Sequence, residues 1–307
     1  MQPPPLGVET VAGRTVVSGF GRPMGLAAGT DGSIYVADMD LHAIARLTPD
    51  LGRCTWLGLE GDGWRDGAPL TRGTLQRAAA REPAMLDGPH SVAVLPDGAC
   101  WIVTYYRPSL ALYDAGGVRR ACHTSIADLG PLQGPATARF DSRGRLLLTE
   151  YRMNVVAVIG ADAVPFVTMG GADPVRPGTL FDRPHMTTEL GDGSLVVADT
   201  WNHRLQRFDA QGRRQAVLES REGWRADGGI ETDEGFMTPV AVAASGDGRL
   251  LVTDWGGSRL MWFDKRGELL EVRDDLRLDK PYDAQFLHDR LVVADSHHGR
   301  IIILRDY

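Results

Sequence analysis

The stretch Arg183-Pro-His-Met-Thr-Thr-Glu-Leu-Gly-Asp-Gly-Ser-Leu-Val-Val-Ala-Asp199 decides the fold. It reads as two short strands around one turn. Asp192-Gly193 supplies the positive φ of a tight hairpin, and Leu195–Ala198 is an apolar, β-branched run suited to burial on both faces. The same line recurs as Arg22 to Asp38, Gly88 to Thr104, Gly134 to Glu150 and Thr238 to Asp254. A sixth copy, Lys280 to Asp295, is one residue shorter.

The repeat prolines Pro23, Pro89, Pro135, Pro184, Pro239 and Pro281 are spaced by 66, 46, 49, 55 and 42 residues. Strands in every unit at a period in the forties predict a propeller. Arg204–Phe208 and Gln215–Leu218 supply a third and a fourth strand after the quoted pair. A lone four-stranded sheet cannot bury both faces, whereas blades stacked around an axis can. The sixth copy reaches a third strand at Ile301–Leu304, and Arg14–Ser18 has strand character ahead of the first copy. We therefore expect an all-β, six-bladed propeller of four-stranded antiparallel blades. It occupies residues 1–307 as one domain, with Arg14–Ser18 as the outer strand of blade six, pairing away an exposed edge.

Composition narrows the partners. Of 307 residues, 43% are apolar, enough for a continuous core, and 37 are glycine, as a turn-rich fold requires. A net charge of −7 argues against a nucleic-acid partner. No stretch is long and apolar enough for a membrane helix. The opening MQPPPLGVET lacks the basic and apolar regions of a signal peptide, and Cys54, Cys100 and Cys122 form neither a disulfide framework nor a zinc spacing. These features predict a cytoplasmic protein with reduced thiols.

The six lines resemble the NHL-repeat family, with Asp199-Thr-Trp-Asn-His-Arg-Leu205 as the best copy. That resemblance implies a fold rather than an activity. Function is sought where copies differ. The residue after each repeat proline is expected at the mouth of the axial tunnel. In order these are Met24, His90, Ala136, His185, Val240 and Tyr282. His90, His185 and Tyr282 fall on alternate blades, a threefold set suited to a metal with an open position or to an acid–base cluster. Pro89-His-Ser-Val-Ala93, Pro184-His-Met186 and Pro281-Tyr-Asp-Ala284 also resemble segments of the propeller lyase that completes peptide amidation, peptidyl-α-hydroxyglycine α-amidating lyase. That resemblance implies zinc or another transition metal at His90 and His185, with Tyr282 standing where the third ligand histidine belongs. It also implies a structural calcium held in the tunnel by Asp283.

Two blades abandon the aspartate that ends the second strand in the others (Asp38, Asp199, Asp254, Asp295). Blade two has Thr104-Tyr105-Tyr106-Arg107 and blade three has Glu150-Tyr151-Arg152. Arg107 or Arg152 suits a substrate carboxylate, and Tyr105, Tyr106 or Tyr151 suits proton transfer. An ion pair of Glu150 with Arg107 or Arg152 is the alternative. Trp201 and Trp255 stand in the equivalent loops and can wall an apolar pocket. Leu59 to Leu86 and Glu219 to Met237 are long connections sharing a Gly-Trp-Arg motif, the first with a short helix expected over Thr74–Arg81. They are lids or ordinary turns with anchoring tryptophans. Serine-hydrolase, nucleotide-loop and zinc-peptidase motifs are absent. The reading is a lyase or hydrolase, metal-assisted or acid–base, acting on a small polar or anionic substrate at the tunnel mouth. A non-catalytic scaffold for a peptide or protein, and a calcium-dependent lactonase-like hydrolase, stand as alternatives.

Overall fold

The computed structural model describes residues 6–11, 13–58, 63–66, 86–160, 162–171, 181–219, 223–225 and 235–305. Each repeat line opens one antiparallel sheet, and the six sheets are the blades of a six-bladed β-propeller. Among the described residues there is no α-helix, only the single 3₁₀ turns Thr200–Asn202 and Ser296–His298. The chain divides into two compact units, Met1–Ser125 with Gln285–Tyr307, and Ile126–Ala284. Blades one and two and most of blade six belong to the first unit, and blades three, four and five to the second. The first strand of blade six, Pro281–Leu287, runs across the boundary.

Blade four shows the plan. Met186–Glu189, Leu195–Asp199, Arg204–Phe208 and Arg214–Leu218 pair in chain order, each antiparallel to the last. The second strand is buried along its whole length because both of its faces meet apolar side chains. On one side Val197 joins Leu147, Val156 and Phe208. On the other Val196 and Ala198 join Val242, Val252 and Phe263 of blade five. The first unit repeats this, with Tyr35, Ile44, Val92, Ile102 and Tyr113 between blades one and two.

Blade six is built from both ends of the chain, as the sequence predicts. Arg14–Ser18 pairs with Arg300–Leu304, Thr15 opposite Ile303. Val17 is fully buried in a cluster with Val36, Val292 and Ile301. Two additions were not foreseen. Gly7–Val11 adds a fifth, exposed strand outside Arg14–Ser18, and Trp64–Asp66 adds a fifth strand to blade one. The second Gly-Trp-Arg copy pairs similarly, Arg225 bridging to Val217. The described part of both motifs is thus edge pairing. The helix expected over Thr74–Arg81 lies outside the described residues.

In blades one, three, four and five the carboxylate ending the second strand holds the entrance to the first. Asp38 accepts the amides of Gly21, Arg22 and Leu41 at 2.7, 3.0 and 2.9 Å. Asp254 accepts those of Met237 and Thr238 at 3.2 and 2.6 Å. Glu150 does the same work in blade three, accepting the amides of Gln133, Gly134, Arg152 and Met153 while buried. Its carboxylate thus caps the entrance to blade three. In blade two, where the residue is Thr104, the hydroxyl bonds to the Arg107 carbonyl and to Ser109 Oγ at 2.8 Å.

Removing these features has separable costs. Glu150→Ala leaves several buried amides without an acceptor and should lower unfolding stability by about 3 kcal/mol or more in urea titrations. Val17→Asp should cost at least as much, about 3 kcal/mol, by burying an unpaired carboxylate, while Val8→Asp on the exposed added strand should change stability by less than about 0.5 kcal/mol.

Acid acts on the turns. Hydrogen bonds lower the carboxyl pKa of Asp114 (from the Val118 amide), Asp192 (from the Ser194 hydroxyl), Asp209 (from the Arg213 amide) and Asp247 (from the Ser245 hydroxyl). Because the folded values lie below the unfolded ones, the unfolded chain binds more protons in the interval between them. The stability these groups supply is complete above about pH 5 and is lost as pH falls through and below about 4. The urea midpoint should follow that course.

Candidate functional site

In blades two, three and five a β-bulge places the residue after the repeat proline. In blade two Pro89 faces Thr104 and Ser91 faces Val103, leaving His90 as the extra residue. Ala136 and Val240 are extra in blades three and five in the same way. A bulge takes one side chain out of the regular alternation and re-aims it. His185 occupies the corresponding place in blade four. Its amide donates to the Ala198 carbonyl at 3.1 Å, and Met186 is opposite Ala198.

His185 is held by three blades. Thr137 Oγ1 of blade three donates to its carbonyl at 2.9 Å. Its ring Nδ1 is 3.1 Å from the Arg183 carbonyl and 3.0 Å from Thr200 Oγ1. Thr200 Oγ1 is 2.7 Å from the Pro239 carbonyl of blade five, which takes its proton. A carbonyl only accepts, so Nδ1 carries the imidazole hydrogen and shares it between the Arg183 carbonyl and Thr200 Oγ1. In the neutral ring the lone pair is then on Nε2, the arrangement wanted of a general base or a metal ligand.

Two tyrosines flank this ring. Tyr151 lies edge-to-face at 4.6 Å between centroids, and Tyr282 does so at 5.8 Å. Tyr282 is buried, and His185 and Tyr151 are half-buried. Three residues singled out on separate blades by sequence therefore share one cluster. Beside it, Arg183 lies with its guanidinium carbon 4.4 Å from the Trp201 ring and 5.6 Å from that of Tyr151. Lys280 Nζ is 4.3 Å from the Trp255 ring. Sequence reading missed Arg183 and Lys280, although each directly precedes a repeat proline. It also missed Thr200, although the sixth copy has Ser296 at that place, making the same bond to the Pro23 carbonyl.

Asp283 is fully buried and faces Arg139 of blade three, whose Nη2 is 2.8 and 2.9 Å from its two oxygens. A guanidinium thus stands where the resemblance implied calcium, and the residues present do not fit that ion. Among the described residues no group of three or more histidine, cysteine, aspartate and glutamate side chains is assembled to hold a metal. Burial pushes the thiols of Cys54 and Cys100 up to about 12, which removes both as nucleophiles near neutral pH.

The first unit carries the other singled-out residues. His90 is buried and stacks on Tyr105, centroids 5.5 Å apart at 24°, and Tyr105 meets Tyr106 edge-to-face at 6.0 Å. Arg107 Nε is 3.4 Å from Asp87, whose other oxygen is 3.1 Å from His42 Nδ1. The same His42 nitrogen lies 3.1 Å from the Gly88 amide, a donor. Accepting from Gly88 requires a lone pair there, so His42 anchors the entrance to blade two. Arg107, offered from sequence as a substrate carboxylate binder, already faces a carboxylate.

No family model matches the chain, and no curated protein matches it. Solved structures do. A gluconolactonase from Xanthomonas campestris aligns with a TM-score of 0.65 at 13% identity, over 99% of this chain and 96% of that one. A catalytically inactive virginiamycin B lyase from Staphylococcus aureus, solved with quinupristin, aligns at 0.63 and 15% identity over 98% and 94%. The nidogen/laminin complex supplies a third at 0.60 and 16%, over 98% of both chains. At such identities these show the propeller fold alone. No helix of the described residues is long and apolar enough to cross a membrane.

Arg139→Ala would leave the Asp283 carboxylate buried without its cation. We expect a loss of about 3–5 kcal/mol in unfolding stability, with the melting temperature of the wild type unmoved by a divalent-metal chelator.

Proposed function

We propose that this propeller is an enzyme of the lyase or hydrolase kind, acting by acid–base chemistry on a small polar or anionic substrate, with His185 as general base. The tautomer of His185 carries the reading. Two acceptors from its own blade fix the hydrogen on Nδ1, and contacts from blades three and five fix the frame around it. Such orientation by neighbours is what a histidine base needs in order to present one ring nitrogen to a substrate.

In the proposed step, Nε2 takes a proton from the substrate carbon beside a carbonyl, or from a water that attacks the carbonyl. Arg183 O and Thr200 Oγ1 keep their bond to Nδ1–H throughout, so the imidazolium that forms needs no ring rotation. The phenolic group of Tyr151 or Tyr282 supplies a proton to the departing oxygen. Arg183, over the Tyr151 ring, places positive charge beside the cluster, favouring an anionic substrate. No step runs through a metal. The lyase and gluconolactonase among the structural neighbours support an enzyme on this fold, while the nidogen/laminin complex keeps protein binding as the rival outcome.

The test is a panel of small lactones, esters and β-substituted carboxylic acids, followed by acid release or double-bond absorbance. Turnover of one member should fall by about 10²–10⁴ in His185→Ala and by a smaller factor in Tyr151→Phe or Tyr282→Phe. Turnover unchanged in His185→Ala, or a panel wholly inert beside a captured protein partner, would remove the enzyme reading.

A further inference from the structure

We propose that His42 is a proton-operated latch on the entrance to blade two. The neutral ring holds the Gly88 amide, and the protonated ring holds the Asp87 carboxylate instead. The latch is independent of the acid–base chemistry proposed for His185.

Blade two lacks the cap used elsewhere. In blades one, three, four and five a carboxylate at the end of the second strand accepts the entrance amides. In blade two that residue is Thr104, whose hydroxyl is engaged with the Arg107 carbonyl and Ser109 Oγ. The Gly88 amide, next to Pro89, donates instead to His42 Nδ1 of blade one, in a buried bond of 3.1 Å. A carboxylate cap offers two oxygens and about four lone-pair sites. An imidazole nitrogen offers one lone pair and loses it on taking a proton.

That nitrogen has two neighbours it cannot serve together. Asp87 Oδ1 also lies 3.1 Å from His42 Nδ1. In the neutral ring the lone pair receives the Gly88 hydrogen, and the carboxylate oxygen, an acceptor only, is a repulsive neighbour. In the imidazolium Nδ1 carries a hydrogen, and the same contact becomes a charge-assisted hydrogen bond. The Gly88 amide then has no acceptor on the ring. A proton therefore decides which of two consecutive residues His42 fastens.

The surrounding charges leave that choice to Asp87. Arg107 Nε, on the loop after Thr104, is 3.4 Å from the other Asp87 oxygen and steadies the carboxylate in both states. Tyr106 of that loop has its ring centroid 6.0 Å from that of the imidazole. Beside His42 in its own loop, Asp38 is committed to the amides of Gly21, Arg22 and Leu41, and Asp40 to Arg22 at 3.4 Å.

The exchange reaches the bulge position. The Gly88 carbonyl accepts the Tyr105 amide at 2.9 Å, and the Asp87 carbonyl accepts that of Tyr106 at 3.2 Å. His90, two residues beyond Gly88, stacks on Tyr105. A proton on His42 thus changes how the segment carrying His90 is fastened to the rest of the first unit.

The test is ¹⁵N NMR of the full chain, with amide exchange corrected for the intrinsic rate, from pH 8 to pH 5. In that interval histidine side chains change charge. At pH 8 we expect His42 Nδ1 unprotonated and the Gly88 amide protected. At pH 5 we expect Nδ1 protonated and Gly88 protection lower by about tenfold or more. His42→Asn, whose Oδ1 can accept in place of Nδ1 without titrating, should keep Gly88 protected throughout. Asp87→Asn removes the anionic competitor and should keep Gly88 protected to lower pH than wild type. Gly88 protection unchanged across the interval in wild type would overturn the latch by itself, whatever the variants do. So would an equal loss in His42→Asn, or a loss at the wild-type pH in Asp87→Asn. None of these readouts involves turnover, so failure of the latch and failure of the enzyme reading are told apart.

Discussion

A buried carboxylate at the end of the second strand is the constraint on which the rest depends. It stands where the chain enters the blade and satisfies backbone amides that would otherwise be buried without acceptors. Asp38 and Asp254 do this with two or three amides, and Glu150 with four. Once the entrance is pinned, the following proline sets the bulge that turns out the next side chain. In blade four Asp199 accepts the Asp182 amide at 2.7 Å, so the placement of His185 follows from capping, whereas the entrance of blade two is anchored through His42.

His185 shows how a site is assembled on such a frame. Its own blade fixes its tautomer, and its neighbours supply the threonine and carbonyl contacts that fix its position. Tyr151 enters from the loop after the Glu150 cap, and Tyr282 from the bulge position of the sixth copy. Polar specification thus occurs in the sheet-edge backbone, while apolar packing between second strands carries the stability.

Much of this was legible in the sequence because the repeat states its own register. Six copies fixed the strands, the closing pair Arg14–Ser18 with Arg300–Leu304, and the alternate-blade positions of His185 and Tyr282. Physical reasons account for what was not. Glu150 looked like a departure with functional content because one methylene changes the letter; the longer carboxylate serves the same cap. Gly7–Val11 and Trp64–Asp66 were missed since edge strands outside a blade need no core pattern. Asp283 was read through a family likeness, and its partner Arg139, far away in sequence, carries no local signal. Arg183 and Lys280 were passed over because a basic residue before proline looks like ordinary surface until its aromatic neighbours are known.

Blade six has a consequence for how the chain is made. Ser18 pairs with Arg300, so the outer strand waits for a partner about 280 residues downstream. At synthesis rates of roughly 5–20 residues per second that wait is about 15–60 s. Throughout it, the apolar Val16 and Val17 have no third strand to cover them, and the sheet they will close has not been made. Contacts of such high sequence separation form late and slowly. The only local pairing of Arg14–Ser18 is with the exposed strand Gly7–Val11, and an isolated two-stranded hairpin of that kind is marginally stable in water, so the segment is secured only when blade six closes.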